Sequence, residues 1–277
     1  MSSNGDQKKG FEPLHKGHAI EQVIISVVMD SEIPEGTLTE IKQTIGTPEE
    51  LPAYAELAAV SFAVGPGLPA SAALAPSTTG HLFRKVRPDG ITENELKAHR
   101  NTLSFRTTLY TRWNVLWSLA KTYIEKLLPY YARHGRVAQL SLNYIDKFIW
   151  YGAKDQYDIT QVLRRDSPYL AGHIFETKDL WHIHTGRFML ADDATKRLIN
   201  VNSDYLDERR QGETRRTISI RTALIDSFNQ AGFNEFNLVN QQLIDSVDKH
   251  FQELHELDKV ILKSILTADT ARRIALS

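Results

Sequence analysis

The residues whose types and spacing suggest chemistry lie in the stretch DLWHIHTGRF, which begins at Asp179. His182 and His184 are separated by a single residue. On a strand, side chains two apart project from the same face with Cα atoms roughly 6.6 Å apart, so both imidazoles can reach one metal ion. Zinc takes three or four protein ligands in such sites. The chain has no cysteine, so the others would be carboxylates or histidines, drawn from His173, Asp179, Asp204 and Asp146. That set would serve a metal-dependent hydrolase or nuclease. It has none of the spacing of a metal motif such as H-E-x-x-H. The same alternation fits an ordinary half-buried strand, with Trp181 and Ile183 turned to a core and the two histidines to water. The strand reading is preferred, and no cofactor is expected.

A second cluster is ERRQGETRR, where Arg209, Arg210, Arg215 and Arg216 crowd around Gly212. Arginines at a hairpin tip can hold phosphates bidentately, which would make this a phosphate or nucleic-acid contact. Glu208 and Glu213 are interleaved with them, and exposed hairpins often carry charge as protection against aggregation. Lys and Arg total 33 against 34 Asp and Glu, a net charge of −1, so no global field draws the chain to a polyanion. Nucleic acid is therefore a weighed but not favoured partner.

Other chemistries are excluded by residue type. Without cysteine there is no disulfide, thiolate zinc site or cysteine nucleophile. No phosphate-binding lysine loop, G-x-G-x-x-G turn or G-x-S-x-G elbow occurs. No apolar run reaches the roughly 18 residues of a membrane helix, and the N-terminus has no secretion signal. A cytoplasmic protein that does not bind membranes is expected.

The elements that must position these residues follow from periodicity. Residues 1–17 are polar and expected to be disordered. EQVIISVVMD is a strand ended by the Pro34-Glu35-Gly36 turn, and residues 46–80 read as a Pro/Ala/Gly-rich loop. HLFRKVRPDG and NTLSFRTTLY are strands with a helical turn between them. A helix capped at Thr111 and running to His134 carries Trp113, Leu116, Trp117, Ala120, Ile124, Leu127, Leu128 and Tyr131 on one face. In RVAQLSLNYIDKFIW, Ala138, Leu140, Leu142 and Tyr144 alternate with polar residues, and three further strands follow in antiparallel hairpins. The expectation is a single α+β domain over residues 18–277. Its mostly antiparallel sheet, of about six to seven strands, packs on the central helix and a long C-terminal helical segment.

That C-terminal segment carries two apolar stripes, Leu243, Val247 and Phe251, then Leu257, Ile261 and Ile265. One can cover a sheet face made by Leu140, Leu142, Ile218 and Ile220. A continuous helix would leave the second overhanging, which predicts a homodimer through the C-terminal helix; a break near Leu254 would give a monomer.

Three stretches carry a resemblance: His18 to Asp30, the segment LSFRTTLYTRWNVLWSLAKTYIEKLLPYYARHGRVAQLSLNYIDKFIW, and LHELDKVILKSILTADTARRI. Together they resemble a sporadically distributed family of uncharacterised bacterial conserved hypothetical proteins of about this length. Asp146 stands where that family usually has asparagine. The resemblance implies a bacterial α+β protein and carries over no catalytic residues. Its sporadic distribution implies a defence or mobile-element setting, with a protein partner encoded by a neighbouring gene. The resulting expectation is a non-enzymatic protein that binds a partner or small ligand in the concavity between sheet and helices.

Overall fold

The computed structural model describes residues 10–59, 77–153, 156–210, 212–229 and 241–276. Its strands in chain order are β1 (Phe11–Pro13), β2 (Ile20–Met29), β3 (Ala53–Ala59), β4 (Ser77–Val86) and β5 (Thr92–His99). They continue with β6 (Thr102–Thr107), β7 (Val137–Trp150), β8 (Trp181–Leu190), β9 (Thr195–Arg210) and β10 (Glu213–Phe228). All ten join one antiparallel sheet in the order β3-β4-β5-β6-β2-β7-β10-β9-β8, with β1 pairing the last three residues of β7. The helices are α1 (Glu35–Ile45), α2 (Trp113–Ala132), α3 (Gln241–Ile265) and α4 (Ala268–Arg273).

The α+β class and the antiparallel hairpins of β8, β9 and β10 are as expected, but ten strands replace six or seven. The additional three are β1, β3 and β5. β3 (AYAELAA) and β5 (TENELKAH) are rich in Ala, Glu, Lys and Asn, residues depleted in strands. Pairing and burial override that preference: β5 lies between β4 and β6 and buries Asn94, Leu96 and Ala98. α1 follows the turn expected at Pro34, which is its N-cap. α2 is capped at Arg112 rather than Thr111 and runs through Pro129. Of the expected disordered segment, residues 1–9 lie outside the described residues, whereas Phe11–Pro13 is a strand. Residues 60–76 of the expected loop also lie outside them.

Helices α1, α2 and α3 lie on the same side of the sheet. Toward them β7 turns Leu140, Leu142, Tyr144, Asp146 and Phe148, and β10 turns Ile218, Ile220, Thr222, Leu224 and Asp226, all buried. α3 is continuous, which corrects the overhang expected of a continuous helix. Leu243, Val247 and Phe251 are buried within the chain, and so are Ile261 and Ile265. The reason is length. A 25-residue helix spans about 37 Å, and the 14 and 16 residues of β7 and β10 span roughly 46 to 53 Å. The sheet is long enough to underlie the whole stripe, so the second stripe does not overhang the domain. Among the described residues no helix is long and apolar enough to cross a membrane.

Candidate functional site

The strand alternation of β8 and β9 turns His182 and His184 away from the helices. His182 faces Asp204 across the pair, Nδ1 to Oδ1 2.6 Å, in an exposed contact. His184 stands opposite Asn202. Asp179 accepts from the Thr177 hydroxyl at 3.1 Å in the loop before β8, and His173 lies in a short turn at Gly172–Phe175. Asp146 points to the opposite face of the sheet. Of the proposed ligands, only Asp204 is brought to the histidines. Among the described residues no three His, Asp or Glu side chains are grouped to hold a metal ion.

The arginine cluster lies at the end of the β9–β10 hairpin, where Arg210 pairs with Glu213 and Gly212 takes φ +85°. Arg216 donates to Asp207 at 2.6 Å and lies 4.5 Å from the Tyr157 ring and 4.7 Å from the Tyr205 ring. Arg215 pairs with Glu213 and sits 4.6 Å over Tyr151. Arg209 is exposed, and the side chain of Arg210 lies outside the described residues. Arg215 and Arg216 are thus engaged within the protein, holding the hairpin rather than presenting a free cationic patch.

The concentration of unusual chemistry is on the helix side. In β7 the alternation that buries Leu140, Leu142 and Tyr144 continues to Asp146, which is 1% exposed between Tyr144 and Phe148. Its Oδ1 is buried and, among the described residues, has no hydrogen-bond partner. The pairing of β2 onto β7 slips at this point, between Ile20 opposite Asp146 and Gln22 opposite Ile145. In α3 the apolar stripe is interrupted by Asp258, also buried. Thr222, opposite Tyr144 in the β7–β10 register, donates its hydroxyl to Asp258 Oδ1.

Aromatic and imidazole groups surround the two carboxyls. The Tyr110 ring, on the segment leading into α2, lies edge-on to Tyr144 at 6.2 Å and to His18 at 5.5 Å. The Tyr144 hydroxyl is 2.9 Å from His255 Nδ1. Trp113, at the start of α2, stacks on His255 at 4.5 Å. Burial, and then the charge of Asp258, raises the Asp146 carboxyl well above the ordinary carboxylate range. Burial pushes Asp258 up to about 7, against the Thr222 hydrogen bond that favours its ionised form. Burial brings His255 down to about 4, so it is neutral at neutral pH. Burial and the nearby acids raise both tyrosines. The site is therefore an acceptor-rich, proton-holding carboxyl pair walled by rings.

A second buried polar group under α3 offers a direct contrast. Arg197 of β9 donates to both carboxylate oxygens of Asp226 at 2.6 and 2.7 Å, and His250 Nδ1 is 3.1 Å from Asp226 Oδ2. Burial alone would raise Asp226, but the Arg197 guanidinium and His250 prevail and hold it below the ordinary range. One acid is fully compensated; Asp146 is not. The sequence offered Asp146 as a possible further ligand beside His182 and His184 and as a departure from the family pattern, and no role was assigned from it to Asp258, Thr222, Tyr110 or His255. The available signal was an acid standing in phase with each buried stripe.

Comparison with protein-family models and with curated proteins returns no match to this chain.

Proposed function

We propose that the chain is a non-enzymatic binding protein that holds a small polar ligand between the sheet and α3, at Asp146 and Asp258. One observation carries this reading: the Asp146 carboxyl is 1% exposed, with Oδ1 unpartnered, beside a second buried acid. Leaving such a group unpaired costs about 1–3 kcal/mol, and an apolar residue would remove that cost. Proteins keep uncompensated polar groups chiefly where a function needs them. The surrounding hydroxyl of Thr222 and the Tyr144–His255 pair are held on neighbouring side chains, which suits fixed walls of a binding site.

A thermal-shift screen with polar small molecules tests the reading. A true ligand raises the midpoint of the wild type by mass action, and Asp146→Asn or Asp258→Asn abolishes that rise. A screen whose stabilising compounds act equally on both variants overturns it.

A further inference from the structure

Resting on that binding reading, we infer that the ligand carries a primary ammonium group, taken up between Asp146 and Asp258 against the rings of Tyr110 and Tyr144. The first argument is donor count. Among the described residues, Asp146 Oδ1 is a buried acceptor without a donor, and Asp258 receives a side-chain hydrogen bond from Thr222 alone. An N–H donor supplies what is missing. The second is charge. Among the described residues no ion pair or hydrogen bond ties a lysine or arginine to either carboxyl, whereas the same fold gives Asp226 the Arg197 guanidinium. Where this protein needs a structural buried carboxylate, it supplies the cation itself. At Asp146 and Asp258 that cation is left to come from outside.

The third argument separates an organic cation from a metal. Calcium takes six to eight oxygen ligands and magnesium six in near-octahedral array, and no group of three acidic or imidazole side chains is formed here. An ammonium needs only two or three acceptors, and its positive charge is attracted to the faces of tyrosine and tryptophan rings. A quaternary ammonium has the charge without the N–H bonds, so it leaves Oδ1 of Asp146 unpartnered. Uptake balances as an exchange: the ammonium enters with its protons, and one carboxyl releases its own proton to solvent.

The experiment follows the Trp113 indole resonance by NMR while the full chain is titrated with ethylammonium, tetramethylammonium or 1-propanol. Ethylammonium has three non-hydrogen atoms, and at no more than about 1.5 kcal/mol per atom its affinity is at best near-millimolar, so the titration runs to high millimolar concentration. The expected result is a saturable shift with ethylammonium, weaker with tetramethylammonium and absent with propanol. Its affinity should rise about tenfold from about pH 6 to about pH 8, as release of one proton requires. It should vanish in Asp146→Asn and in Asp258→Asn, whose remaining resonances report that they fold. If one variant does not fold, the other and the pH series decide. Equal responses to propanol and ethylammonium, no response to either amine, or a response retained in both variants would overturn the inference. A neutral or anionic compound from the thermal-shift screen that is lost in Asp146→Asn would overturn the ammonium class while sustaining the binding site. If no compound depends on Asp146, both fall.

Discussion

At the scale of single residues, two acids in one core behave oppositely because only one has a cation. Asp258 has an ordinary value of 3.8 and is raised to about 7. The native state therefore holds a proton that the unfolded chain releases, and stability is lost as pH rises through that interval. His255, lowered from 6.5 to about 4, has the opposite slope below neutrality, so wild-type stability alone mixes the two. The difference between Asp258→Asn and wild type isolates the acid. Urea denaturation should show that difference moving in favour of the variant by on the order of 3 kcal/mol between about pH 5 and about pH 8. A flat difference would mean Asp258 titrates normally. The compensated acid gives the reverse test. Arg197→Met strands Asp226 and should cost roughly 3–5 kcal/mol. His182→Ala, which removes an exposed pair with Asp204, should cost less than about 1 kcal/mol.

At the scale of elements, α3 is the lid of the core and the carrier of half the site. Its stripe runs from Leu243 to Ile265 with His250 and Asp258 set into it. It is tied to α2 by polar contacts at the rim. Trp117 Nε1 donates to Asp248 at 2.7 Å, Lys121 Nζ to the same carboxylate at 2.6 Å, and Trp113 Nε1 to Gln252 at 2.7 Å. Phe251, fully buried against Trp117, should cost about 3–5 kcal/mol as Phe251→Ala. Ile261→Asp should unfold the chain, because it buries an unpaired charge. Val260→Asp, one residue away but 63% exposed, should be within about 0.5 kcal/mol of wild type. Thermal denaturation of the three variants checks the order. An Ile261→Asp variant as stable as Val260→Asp would contradict the burial of the second stripe.

At the scale of the whole molecule, the sheet has β3 and β8 at its two ends. β8 carries exposed Phe188 and Leu190 near its C-terminal end, with Lys196 lying 4.3 Å over the Phe188 ring. Both long central strands, β7 and β10, are flanked on each side, and these bear the polar groups that meet under α3. Tyr110 and Trp113, half-buried where the chain enters α2, lie at the rim of this layer beside Tyr144 and His255.

Some of this was written in local periodicity. The alternation of Leu140, Leu142 and Tyr144, the three-and-four spacing of α2, and the apolar stripes of α3 each depend only on neighbours in the chain, where a period of 2.0 or 3.6 determines a face. So does the placement of His182 and His184 on the polar side. β3 and β5 were illegible because their Ala, Glu, Leu and Lys content favours helix and only pairing with β4 and β6 makes them strands. The continuity of α3 as a covered helix depended on the length of the sheet beneath it. The carboxyl pair lay furthest from local reading. Asp146 and Asp258 stand 112 positions apart in the chain, and nothing near either implies the other. The register that sets Thr222 opposite Tyr144 and Ile220 opposite Asp146, and the hydrogen bond that ties Thr222 to Asp258, put both acids in the buried layer between the sheet and α3. Burial is a property of that assembly, and it is burial that gives the two acids their chemistry.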